Sequence, residues 1–253
     1  MTHIPYTSSQ GVRIHYQVEG NGPPLVLQHG FTSSLEAWRQ FGYVQALHHD
    51  YQCILLDTRG HGASDKPHDP AAYTLQRRVG DVVAVLDALH IQKAHFFGYS
   101  MGGWIGFGMA KYASERVQSL LICGVHPYAD RSWDAFRQVD GTDPEAFLAA
   151  LEAVVEQRIP PELKPRVLAN DLQALAAAAQ ERPALEDVLP TMTMPCLLLV
   201  GEADVRYPAV QECTKHMAHA TLVSLPGCNH VTGFVRSDLV LPHVTQFLAT
   251  VRA

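Results

Sequence analysis

Short apolar runs alternate along this chain with segments whose apolar residues return every three or four positions. "PLVLQHG" (24–30), "QCILLDTRG" (52–60), "KAHFFGYS" (93–100), "RVQSLLICG" (116–124), "MPCLLLVGEAD" (194–204) and "TLVSLPGCNH" (221–230) are runs of strand length that close on turn-forming residues. "RIHYQVEG" (13–20) alternates apolar and polar positions, which predicts an antiparallel edge strand. Between them lie helical patterns. "LEAWRQFGYVQAL" (35–47) spaces Leu35, Trp38, Phe41 and Leu47 as a helix would, with Ser34 as its N-cap. "TLQRRVGDVVAVLDAL" (74–89) gathers Leu75, Val79, Val82 and Leu86 on one face. "MGGWIGFGMAKYA" (101–113), "PAVQECTKHMAHA" (208–220) and "SDLVLPHVTQFLATV" (237–251) complete the set. Strands separated by helices of this length predict an α/β fold, with a mostly parallel, doubly wound sheet covered on both faces.

The alternation stops between residues 126 and 190. "DPEAFLAALEAVVEQ" (143–157) and "DLQALAAAAQE" (171–181) are helical, capped by Asp143 and Asp171 and punctuated by prolines. The expected organisation is a core of residues 1–125 and 191–253, with a small helical segment, 126–190, inserted in it.

Composition narrows the function classes. Of 253 residues, 47% are hydrophobic, enough for one sizeable core. A net charge of −6 argues against a nucleic-acid binder, which shows a basic face. No apolar run reaches the roughly 18 residues of a membrane span. "MTHIPYTSSQG" does not read as a secretory signal, and the five cysteines read as reduced thiols, so a cytoplasmic protein is expected. With no CxxC and no HExxH, no metal site is expected.

The chemistry begins at Gly98-Tyr99-Ser100-Met101-Gly102. This G-x-S-x-G follows an apolar strand and opens a helix, the setting of a nucleophile elbow. Gly98 and Gly102 leave room for a strained serine. A serine needs a base, and the base needs an orienting acid. On an α/β sheet these follow the serine in the order acid, then histidine, each after a later strand. Asp204 closes "CLLLVGEAD" and His230 closes "TLVSLPGCNH". Glu202 and Asp130 are the rival acids. His126 follows a strand but precedes Asp204, and reads as lining a pocket entrance. His95 reads as a core histidine; His3, His15, His48, His49, His68, His216 and His219 read as solvated or partly covered. The backbone N–H groups of Phe31 and Met101 are the expected oxyanion donors.

"LQHGF" (27–31), "LLDTRGHGASDKP" (55–67), "FFGYSMGG" (96–103), "LLLVGEADVRYP" (197–208) and "LPGCNH" (225–230) together resemble the α/β-hydrolase superfamily, in the family's order. The resemblance implies an α/β-hydrolase fold, with residues 126–190 as a helical lid and no cofactor. It implies no chemistry for the 57–64 turn, which such proteins use structurally. The similar subgroups are esterases, enol-lactonases, cofactor-free perhydrolases and C–C bond hydrolases. Phe31 counts against the last, which usually carry a small residue there. Epoxide hydrolases and haloalkane dehalogenases place an aspartate where Ser100 stands. The implied activity is cleavage of a carboxylic ester or lactone through an acyl-enzyme; the alternatives are a small-molecule receptor or signalling protein of the same fold, or a cofactor-free perhydrolase or C–C bond hydrolase. Trp104, Phe136 and Phe234 are expected to bind a small, apolar ester substrate. No cluster of arginines marks an anion clamp in the sequence, and Arg206 reads as a surface residue. Oligomeric state is not legible.

Overall fold

The computed structural model describes residues 5–251. Its strands are β1 (Tyr6–Ser9), β2 (Val12–Glu19), β3 (Pro24–Gln28), β4 (Gln52–Leu56), β5 (Ala94–Tyr99), β6 (Val117–Cys123), β7 (Cys196–Gly201) and β8 (Ala220–Leu225). Among the described residues they form one eight-stranded sheet in the order β1-β2-β4-β3-β5-β6-β7-β8. β1–β2 and β2–β4 are antiparallel, and every other pair is parallel. β2 is therefore not an edge strand. It pairs on both sides, and the short β1 takes the edge, which explains why Ile14, His15 and Tyr16 are all buried.

Alternate side chains of each strand feed opposite faces of the sheet. Val26, Ile54, Phe96 and Leu120 pack under α3 (Leu75–Ala88), α4 (Met101–Tyr112) and α8 (Tyr207–Thr214). Their chain neighbours Leu25, Leu55, Phe97 and Leu121 pack under α1 (Glu36–Gln40), α2 (Tyr43–Leu47) and α10 (Ser237–Thr250). The single helix expected over 35–47 is split, because Gly42 sits at φ +78° and breaks it into α1 and α2. Ser34 does not cap it. Leu35 holds the N-cap position with no side-chain bond, and its N–H goes to Asp57 Oδ1 at 2.8 Å. The helix expected over 208–220 ends at Thr214.

Between β6 and β7 the chain adds α5 (Pro144–Val155), α6 (Lys164–Leu168) and α7 (Leu172–Ala179), with 3-10 turns at 131–136 and 186–191. Asp143 caps α5 through the N–H groups of Glu145 and Ala146, at 2.8 and 3.2 Å. Asp171 caps α7 through Ala174 N–H at 2.9 Å. Such caps contribute about 1 kcal/mol each. The segment has a small core of its own, built on Phe136, Phe147, Leu151, Val154, Val167 and Leu175, and Phe31 of the main body packs against it. No helix among the described residues is long and apolar enough to cross a membrane. His3 lies outside the described residues.

Candidate active site

β5 runs through the middle of the sheet and ends where Ser100 turns the chain into α4. Ser100 adopts φ +53°, ψ −115°, a conformation that costs a non-glycine residue about 1–3 kcal/mol. Its N–H donates to Cys123 O at 2.8 Å, so the turn is tied to β6. The flanking glycines are sterically required. A Cβ on Gly98 would lie 2.2 Å from Gly102 O, and one on Gly102 would lie 2.1 Å from Gln28 O.

The loops after β7 and β8 bring Asp204 and His230 to this serine. His230 Nε2 lies 3.0 Å from Ser100 Oγ, and His230 Nδ1 lies 2.8 Å from Asp204 Oδ2. With a proton on Nδ1, the imidazole donates to Asp204 and accepts the Ser100 hydroxyl. Burial of Asp204 would raise its pKa. The hydrogen bond and charge of His230, the N–H of Arg206 at 3.0 Å and the Arg206 guanidinium outweigh it, so the carboxyl sits below its ordinary value and stays ionised. Tyr99 O–H donates to the His230 carbonyl and pins that loop. Of the rival acids, Glu202 accepts from Ser224 Oγ instead, and Asp130 binds Ser132 and Arg206.

The 55–67 turn buttresses the opposite loop. Asp57 accepts from His15 Nδ1 at 2.8 Å, from Leu35 N–H and from Ala63 N–H at 2.9 Å. His15 is thus a buried partner of Asp57 rather than a solvated side chain. Thr58 N–H donates to His29 Nε2 at 3.2 Å, and His29 Nδ1 donates to Gly30 O at 2.8 Å. Burial lowers the pKa of His29, against the pull of Asp57, so the ring holding the 29–31 loop is neutral. Thr32, next in the loop, also sits at positive φ, +61°.

Two cavities open at Ser100. The larger is about 220 Å³ and mostly apolar, with Phe31, Leu151, Val154, Val167, Phe234 and Val235 among its lining residues. Phe234 therefore stands where a substrate-facing side chain was expected. Phe136 does not. It is fully buried, in contact with Phe31, Trp133 and Phe147, and supports the wall from behind. The second cavity is a recess of about 30 Å³, and Trp104 belongs to it. Its other side chains include His126, Tyr128, Asp130, Arg182 and Arg206, a polar set that periodicity could not assemble. Arg206 is a correction, because only 7% of it is exposed. His126, Asp130, Trp104 and Arg206 were each visible singly in the sequence, but nothing there grouped them.

The sequence profile of the alpha/beta hydrolase fold family matches residues 23–181. The chain belongs to the alpha/beta hydrolase fold family. Its eight-stranded, mostly parallel sheet agrees with that membership. This alpha/beta hydrolase is 28% identical to a Bacillus subtilis protein provisionally named as a 2-succinyl-6-hydroxy-2,4-cyclohexadiene-1-carboxylate synthase, over 99% of this chain and 100% of that one. It is 30% identical to 3-oxoadipate enol-lactonase 2 of Acinetobacter baylyi, over 85% of each chain. Among solved structures, an esterase from Rhodococcus sp. ECU1013 superposes with a TM-score of 0.82 at 27% identity, over 97% of this chain and 98% of that one.

Proposed function

We propose that this protein is a serine hydrolase that cleaves a carboxylic ester or lactone through an acyl-enzyme. The observation that supports it is the chain of contacts from Ser100 Oγ to His230 at 3.0 Å and from His230 to Asp204 at 2.8 Å, on a strained elbow at a cavity. Neutral His230 takes the hydroxyl proton as Oγ attacks the carbonyl carbon. Asp204 stabilises the imidazolium that forms. The oxyanion is assigned to two backbone donors. Met101 opens α4, so its N–H is one of the first-turn groups without an intrahelical partner. Phe31 N–H has no hydrogen bond among the described residues. When the tetrahedral intermediate collapses, the C–O bond breaks and His230 gives its proton to the departing alkoxide. A water, deprotonated by His230, then releases the acid. Residues 126–190 act as a lid, since Trp133 and Leu151 line the cavity opposite Phe234 of the core.

The test uses 4-nitrophenyl acetate and butyrate. The wild type is expected to turn both over, and Ser100→Ala or His230→Ala to cut kcat/KM by at least about a thousandfold with the fold intact. Rates near wild type in either variant refute the assignment. One slow turnover that leaves a stable acyl adduct points instead to a receptor of this fold.

A further inference from the structure

The recess beside Ser100 holds polar groups that the acyl transfer does not use. Arg182 packs over two indoles, its guanidinium carbon 3.6 Å from the Trp133 ring centre and 4.8 Å from that of Trp104. Trp104 Nε1 donates to Pro183 O at 3.3 Å and fixes the loop that carries Arg182. Stacking covers the faces of the guanidinium and leaves its in-plane N–H fork free. Among the described residues, no carboxylate pairs with it. Three residues that line the recess each hold a buried atom without a hydrogen-bond partner, His126 Nδ1, Tyr128 Oη and Arg206 Nη1, the last in an ion pair with Asp204 Oδ1 at 3.5 Å. Arg206 itself is 7% exposed and anchored by Nη2 to Val154 O at 2.6 Å.

A folded chain seldom leaves so many buried polar groups unsatisfied at one place. A guanidinium only donates, and a phenol O–H and a protonated imidazole nitrogen can donate to the same kind of partner, an oxygen acceptor. Asp130 is the carboxylate of the recess. It is already engaged, with Ser132 Oγ at 2.6 Å, Ser132 N–H at 3.0 Å and Arg206 at 3.6 Å. The recess is small, about 30 Å³. A planar guanidinium fork at its wall suits the two oxygens of a carboxylate.

We infer that the recess is a carboxylate subsite, with Arg182 as its principal ligand, and that the substrate is an ester or lactone bearing a carboxylate on a short arm. Ser100 is part of the recess wall, so the anion lies only a few bonds from the reacting carbonyl. The apolar cavity on the same serine takes the remainder of the molecule. This substrate class rests on the serine-hydrolase reading of the site, and it replaces the purely apolar ester expected from the sequence.

The test compares monomethyl esters of succinate, glutarate and adipate with the matching ester amides. Wild type is expected to favour the best anionic ester by about thirtyfold in kcat/KM, and Arg182→Gln to bring that ratio close to one. Arg182→Lys keeps a charge without the flat fork and should fall between them. A merely structural arginine would lower both substrates together and leave the ratio alone. A wild-type ratio near one overturns the subsite and leaves the acyl transfer standing. Calorimetry of glutarate with Ser100→Ala needs no turnover. Saturable binding, lost when Arg182→Gln is added, is the expected result; no binding up to about 20 mM overturns the subsite even if no ester is cleaved. Failure of the acyl-transfer reading looks different, with wild type and Ser100→Ala equally inert on neutral aryl esters while glutarate still binds.

Discussion

Two buried polar regions flank the nucleophile, and they are built on opposite terms. In the 57–65 turn, Arg59 meets Asp81 through two bonds of 2.7 and 2.6 Å, and Asp57 accepts from three donors. There His61 Nε2 is the buried atom left without a partner. In the 126–206 recess, His126, Tyr128 and Arg206 each hold such an atom, and Arg182 has aromatic faces but no carboxylate of its own. The first region pairs its buried charges as the chain folds. The second pairs Arg206 with Asp204 and Asp130 but leaves Arg182 without a carboxylate, the place that the proposed ligand would fill. A buried charge costs least when it is paired, and an unpaired one in a cleft is a candidate ligand group.

The largest effect that could break this contrast is in stability. Asp81→Ala should destabilise the protein by about 3–5 kcal/mol, since it strands a buried arginine. A loss below about 1 kcal/mol in denaturant unfolding would mean that the turn is no better satisfied than the recess. Arg182→Gln should change stability by no more than about 1 kcal/mol, because lost stacking is offset by relief of an unpaired cation. A loss as large as that of Asp81→Ala would make Arg182 a structural residue.

The smallest effect is in acid. Burial, then the neighbouring His29, pushes the His61 pKa well below its ordinary 6.5. Below about pH 6.5 the unfolded chain binds a proton that the folded chain refuses, so stability falls as pH drops. His29 adds to this in the same direction. The unfolding midpoint should therefore drop between about pH 7 and pH 5, and His61→Asn should shrink the drop. A midpoint that is flat over that interval would remove the neutral, buried histidines from the account of the turn.

What could be read from residue order was local. G-x-S-x-G after an apolar run foretells Ser100 because the elbow is a matter of neighbours, and the close approaches at Gly98 and Gly102 show why no other residue fits. Asp204 and His230 were legible because strand exits are visible as ends of apolar runs. The misreadings had two sources, a long-range contact and a local backbone angle. His15 looked solvated until Asp57, 42 positions away, was placed against it. The helix over 35–47 looked continuous because spacing does not report the positive φ of Gly42.

The sequence by itself determined the alternation of strands and helices, the elbow and the order of its partners, since each depends on contacts within a turn or on which face of one element is apolar. Only the tertiary structure decided the company Ser100 keeps. Arg182 comes from the inserted segment, Trp104 from α4, Tyr128 from beyond β6 and Arg206 from beyond β7. No periodicity links these positions, because what unites them is the packing of the inserted helices over the sheet edge. A guanidinium looks the same in sequence whether it ends in water or over two indoles.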